Sequence, residues 1–258
     1  MPTFLFDKIV FGPVKSRRLG ISLGINLLPV TRKFCNFNCV YCECGLNTTG
    51  KGINSLPTRQ EVYDALEIKL SEMLQAGTKP DVITFAGNGE PTMHPKFPDI
   101  VDDTIQLRNN YFKSAFISVL SNSTMLHKPD VVEALKKVDQ NIMKLDSGLL
   151  SSIEKINKPV GKYDLGRIIG QLKEFNGNLT IQTMFTRGDV EGVWLDNTTE
   201  DDLLAWETSV KDINPKMVMI YTIDRDTPFE GLKKVPREEL QVIAKRIQAL
   251  GIKVQISA

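Results

Sequence analysis

Cysteine is confined to one short stretch of this 258-residue chain, at Cys35, Cys39, Cys42 and Cys44. Disulfides stabilise by closing loops between distant segments, so four thiols this close together cannot staple a fold of this size. A metal site in a reducing compartment explains them better. The C-x3-C-x2-C spacing from Cys35 to Cys42 lets a single loop wrap one cluster. Three thiolates on a four-iron, four-sulfur cluster leave the fourth iron open, and an open coordination position allows a metal centre to bind a reactant. The alternative is a closed zinc knuckle using all four thiols. Structural zinc usually takes two separated cysteine pairs, whereas Cys42 and Cys44 are only two apart and would crowd one ion. Cys44 is therefore expected to be a bystander thiol.

Further residues suited to chemistry stand where predicted strands end. Gly87-Asn88-Gly89-Glu90-Pro91 follows one strand; its glycines let backbone approach a ligand, although alone such a segment is simply a turn. Glu90 suits an ammonium group. Ser121-Asn122-Ser123 offers hydroxyl and amide groups, or equally a helix N-cap or an Asx turn. Asp146 ends another strand and would point a carboxylate into the same mouth. Lys144 shares its face of the strand. As catalytic candidates these two bring an acid, a base or an imine-forming amine; an ion pair between them is the simpler role. Gln182, Tyr221 and Arg225 are substrate candidates near later strand ends, Arg225 being able to hold a carboxylate or phosphate. His94 and His127 lie too far from any ligand spacing to propose as metal ligands.

The elements that must position these residues follow one pattern. From Thr58 onward, amphipathic stretches of helix length alternate with short apolar runs, as in repeated βα units around a parallel sheet. Helices are expected at 58–75, where Thr58 and Glu61 form a capping box, and at 97–108, 129–137, 164–175, 199–212 and 236–250. Strands are expected in GISLGINLL, DVITFAG, SAFISVL, NIMKLDS, LTIQTMF, MVMIYTI and IKVQIS. The result is an α/β fold, a partial (β/α)6 barrel of the TIM type, read as a single domain over residues 1–258. Right-handed crossovers make the strands parallel, so the loops after their C-terminal ends share one face. Those loops are the cysteine segment, GNGEP, SNST, KLDSG, TRGD and TIDRDTP.

The cysteine spacing, with Tyr41 immediately before the third cysteine, resembles the defining motif of the radical S-adenosylmethionine (SAM) superfamily. The resemblance implies that Cys35, Cys39 and Cys42 hold one 4Fe-4S cluster whose open iron chelates SAM. One electron then breaks a carbon–sulfur bond, giving methionine and a 5′-deoxyadenosyl radical. GNGEP resembles the family's Gly-Gly-Glu motif with Asn88 interposed, which carries cofactor binding over to Gly89 and Glu90, and to Gly87 beside them. Tyr41, Ser121 and Asn122 are further cofactor-binding candidates by the same resemblance, the last two toward the ribose, while Asp146 could bind ribose or substrate from its place at the strand end. The opening FGPVKSRRLGISLGINLLP, GNGEPT-x-HP, the KLDS strand and TIDRDTP extend the likeness over most of the chain. They are similar to short superfamily members related to the iron–sulfur oxidoreductases of wyosine-type tRNA modification. Those enzymes carry a second cluster; one cysteine beyond the three cannot hold it. Arg17 and Arg18 could meet a phosphate or form ion pairs on the barrel floor.

Composition limits the partners. With 32 basic and 31 acidic residues, the formal charge of +1 provides no long-range field for a polyanion, so neither a large nucleic-acid surface nor a membrane surface is indicated. The chain shows no signal-peptide or spanning pattern, and the expected location is cytoplasmic. A barrel capped only by its own loops leaves room for a small molecule, a peptide end or a nucleotide. Radical chemistry also needs an electron donor such as flavodoxin or ferredoxin. Two other readings remain open at this level: an iron–sulfur electron carrier, which normally closes all four irons with cysteine, and a zinc-stabilised barrel.

Overall fold

The structure is a computed structural model that describes residues 4–16, 19–47 and 55–258; Arg17 and Arg18 lie outside the described residues. Strands β1 (Val10–Ser16) and β2 (Gly20–Ile25) precede the cysteine loop, and helix α1 (Arg59–Gln75) follows it. Then come β3 (Val82–Phe85), a 3-10 turn at Pro91–Met93, α2 (Phe97–Tyr111), β4 (Phe116–Ser121), α3 (Pro129–Lys137) and β5 (Gln140–Lys144). Next are α4 (Leu150–Ile156), α5 (Leu165–Lys173), β6 (Thr180–Met184), β7 (Thr186–Val190), β8 (Val193–Asp196) and α6 (Glu200–Ile213). The chain ends with β9 (Met217–Tyr221), β10 (Leu232–Lys234), α7 (Arg237–Gln248) and β11 (Lys253–Ser257).

Eight strands form one sheet in the order β1-β2-β3-β4-β5-β6-β9-β11, and every pairing from β2 to β11 is parallel. These seven parallel strands are the seven expected from sequence, joined by six helical crossovers, and they make an open half-barrel. The expected capping box starts α1: the Glu61 amide donates to Thr58 Oγ1, and the Thr58 amide donates back to the Glu61 carboxylate at 2.7 Å. Val62, Leu66, Leu70 and Met73 then fall on one face at helical spacing and enter the main core with Ile83, Phe85, Ile117 and Val119.

Three features depart from the sequence expectation. Strand β1 pairs antiparallel with β2 and adds an edge to the sheet. Helix α4 precedes α5 in the same crossover. TRGD, expected as a loop, belongs to β7 in a separate sheet of order β10-β7-β8. Its hairpin turns on Glu191 (φ 54°) and Gly192 (φ 81°), between the paired Val190 and Val193; a two-residue loop with both φ positive matches the twist of the strands it joins. Among the described residues no helix is long and apolar enough to cross a membrane.

Candidate functional site

The loop after β2 is knitted to its surroundings by its own backbone and by asparagines. The Phe34 amide donates to Asn88 O at 2.8 Å and the Val40 amide to Ile156 O at 2.9 Å. Asn47 closes the loop on itself: Cys35 N donates to its Oδ1, and its Nδ2 donates to Cys35 O at 2.7 Å. The loop thereby presents Cys35, Cys39 and Cys42 to a cavity of about 260 Å³ at the strand ends. Gly87, Gly89, Glu90, Ser121, Asn122, Lys144, Gln182, Tyr221 and Tyr41 share its wall. Residues scattered over 187 positions of sequence, from Cys35 to Tyr221, thus meet in one place, as parallel crossovers require.

The GNGEP segment works first as a lock on the cysteine loop. Gly89 has φ +145°, and a Cβ there would stand 1.9 Å from the Phe34 carbonyl oxygen. At Gly87 (φ +149°) a Cβ would stand 2.4 Å from Asn26 Oδ1. Glycine is needed because protein backbone and side chain already occupy that space. Glu90 is 2 % exposed and accepts from Thr92 N, Thr92 Oγ1, Ser121 Oγ and Asn122 N. Burial pushes its carboxyl up, and these donors oppose the shift. The Ser121 hydroxyl is committed to Glu90, and Asn122 Nδ2 donates to Asn36 Oδ1 at 2.6 Å.

Two sequence candidates fall away from the cavity wall. Asp146 has a side chain with no exposure; it lies behind Tyr41, accepting from the Tyr41 hydroxyl, from Asn157 Nδ2 at 2.6 Å and from Met184 N at 2.9 Å. The large ring of Tyr41 stands between it and the mouth into which it was expected to point. Arg225 is mostly exposed and pairs with Glu43 at 2.7 Å, lining a neighbouring groove instead. Lys144 stays on the wall. Its Nζ donates to Tyr41 Oη at 2.6 Å and lies 3.6 Å from Asp146. Burial draws the ammonium down, but Asp146, with Tyr221, Cys39 and Cys42, raises its pKa on balance, so it remains a cation. The geometry shows the ion pair with Asp146.

The sulfurs are placed in a polar setting. Cys35 Sγ receives Phe37 N at 3.4 Å and Asn122 Nδ2 at 3.7 Å, while Cys39 Sγ receives Asn157 Nδ2 at 3.4 Å. Cys44 is off the wall and donates to Gly87 O at 3.4 Å. A hydrogen bond from Cys44 lowers the Cys42 thiol against burial, while burial pushes Cys35 up to about 12. Lys33, which has no spacing signal in the sequence, is 4 % exposed on the same wall and donates to Gly45 O at 2.9 Å. Asn157 was likewise illegible: it is the C-cap of α4, a helix absent from the sequence expectation. Among the described residues no three Cys, His, Asp or Glu side chains converge on one metal-ion position. Hydrogen bonds to the sulfurs of Cys35 and Cys39 are of the kind that iron–sulfur clusters accept.

Fold and site together define a class: an open parallel α/β barrel with a thiol-lined cavity at the C-terminal ends of its strands. Comparison with known families sharpens this. The model of the radical SAM superfamily matches residues 30–189, and the chain belongs to that superfamily. Membership implies an enzyme that uses an iron–sulfur cluster and SAM. A UPF0026 protein of Helicobacter pylori is 32% identical over 236 residues, covering 90% of this chain and 71% of the relative. Among solved structures, a radical SAM methyltransferase from Sphaerobacter thermophilus aligns with a TM-score of 0.67 at 14% identity, over 92% of this chain and 65% of the other. An archaeal TYW1 aligns at 0.52 and 13% identity, over 88% and 71%. At such identities these structures show the partial barrel fold, and the chain spans just under two thirds of the methyltransferase's length.

Proposed function

We propose that the chain binds one 4Fe-4S cluster through Cys35, Cys39 and Cys42, with SAM beside it, and acts by radical chemistry on a small molecule, a peptide end or a nucleotide. The observation that carries this reading is the cavity in which those three thiols and the GNGEP loop meet, with Cys44 left out. When bound, the cluster and SAM supply one-electron cleavage of a carbon–sulfur bond and hence a 5′-deoxyadenosyl radical. The protein's part is positional. Asn122, Asn157 and the Phe37 amide direct N–H groups at the sulfurs. Gly87 to Glu90 present backbone to the cofactor's polar end. On the facing wall Gln182 donates to Tyr221 Oη at 2.8 Å, leaving its buried Oε1 without a partner. A buried acceptor left open costs stability unless something fills it, so this atom is the substrate contact of the proposal. The electron comes from a carrier such as flavodoxin or ferredoxin.

Anaerobic reconstitution with iron and sulfide tests the reading. About four irons per chain are expected, followed by 5′-deoxyadenosine once SAM and dithionite are added. Cys35→Ala, Cys39→Ala or Cys42→Ala should abolish cluster uptake, whereas Cys44→Ala should retain it. A fully loaded cluster that yields no 5′-deoxyadenosine would refute the proposal.

A further inference from the structure

We infer that Lys33 is the built-in counter-cation of the cluster proposed above, a positioning residue that makes the cluster easier to reduce; the inference rests on that reading. Two lysines line the cavity, and they differ in one respect. Lys144 has Asp146 at 3.6 Å. Lys33 is buried with the Gly45 carbonyl as its hydrogen-bond acceptor, and among the described residues no carboxylate forms an ion pair with it. A buried ammonium is strongly disfavoured unless an anion is held near it. The thiols on the same wall, with what they bind, can supply that anion. Lys33 stands on the same cavity wall as Cys35, Cys39 and Cys42, two residues before the first of them.

Electrostatics sets the sign of the effect. A four-iron cluster held by three thiolates is anionic, and reduction adds one more negative charge. A fixed positive charge in a poorly solvated wall stabilises the reduced form more than the oxidised form. The Gly45 contact fixes where that charge stands, because it ties the Lys33 head to the far end of the cysteine loop. The carboxylate of SAM is the other anion that could meet Lys33. The Gly45 contact, which holds the head beside the end of the cysteine loop, favours the sulfur side.

The experiment compares wild type, Lys33→Gln and Lys33→Arg after anaerobic reconstitution, reading iron content, midpoint potential without SAM, and SAM affinity. Glutamine keeps a donor for Gly45 O and removes the charge. The expected result is normal iron content in Lys33→Gln with the reduction equilibrium at least about tenfold less favourable, a midpoint about 59 mV lower for a one-electron couple. Lys33→Arg should restore the wild-type potential. An unchanged midpoint in a loaded Lys33→Gln protein overturns the inference, and an unchanged midpoint with weakened SAM binding reassigns Lys33 to the cofactor's carboxylate. Should Lys33→Gln take up no cluster while Lys33→Arg does, the charge is still what the site requires; if neither does, geometry rather than charge is at stake and the inference fails. A wild-type chain that takes up no iron and sulfide would show itself separately and would remove the underlying reading as well.

Discussion

Asp146 and Lys144 show how a pair of residues with catalytic potential can be used for support. The Asp146 carboxylate gathers the Tyr41 hydroxyl, the Asn157 amide and the Met184 backbone, and it fixes the charge of Lys144. Through Tyr41 and Asn157 the pair reaches the cysteine loop, since Asn157 Nδ2 also donates to Cys39 Sγ. Removing the carboxylate alone leaves a lysine in a mostly buried place with no counter-charge, which costs about 3–5 kcal/mol in comparable buried pairs. Asp146→Ala is therefore expected to lose about that much in urea unfolding, and the double variant Lys144→Met/Asp146→Ala to recover a substantial part of it. Equal instability of the single and double variants would show that the ion pair is not what Asp146 maintains.

At the scale of elements, the site depends on how closely the cysteine loop approaches the end of β3. Phe34 and Gly89 form a parallel bridge, and the Gly89 Cα faces the Phe34 carbonyl with no room for a methyl group. Gly89→Ala must push Phe34 aside and so disturb the backbone beside Cys35. Gly170→Ala, in α5 with nothing within 4 Å, is the matched control, and should stabilise slightly because alanine is the better helix former by about 1 kcal/mol. The expected outcome is loss of cluster uptake in the first and none in the second, read from iron content and visible absorbance; full uptake by Gly89→Ala would contradict the lock. The seven parallel strands and their helices were legible because apolar runs, helical spacing and the Thr58/Glu61 cap all obey local rules. Strand β1 was not, because VFGPVKS carries Gly12 and Pro13 inside a strand that pairs on one side. Nor was the hairpin of β7 and β8, where Glu191 adopts a positive φ that its residue type does not announce. The place of Asp146 at the end of a strand leads to the expectation that it points into the mouth; a local pattern is blind to the Tyr41 hydroxyl, the Asn157 amide and the Met184 backbone that engage its carboxylate off the cavity wall. Lys33 shows the same limit from the other side: nothing in a lone lysine before a cysteine says that it will be buried.

Across the whole molecule, two apolar cores divide the work. The larger lies between the half-barrel and its helices, and includes Leu66, Phe85, Leu172 and Trp206. The smaller gathers Phe37, Val40 and Tyr41 of the cysteine loop with Ile156, Met184, Val190 and Leu195, so that the β10-β7-β8 sheet backs the loop from outside the barrel. Asn197 links the two regions by donating to Asp146 O and Met184 O, each at 2.8 Å. The small core therefore holds the thiols in place without contributing much to the barrel. Leu195 is 3 % exposed and Leu172 fully buried, and truncating either to alanine costs about 2–5 kcal/mol in well-packed sites. The losses should differ in kind. Leu195→Ala loosens the backing of the loop, and iron should leave the reconstituted protein faster when a chelator is added. Leu172→Ala weakens the barrel while the thiols keep their setting, so iron release should stay near the wild-type rate under conditions where both variants remain folded. If the two variants release iron equally fast for the same fall in melting temperature, cluster retention follows global stability and the small core has no separate role.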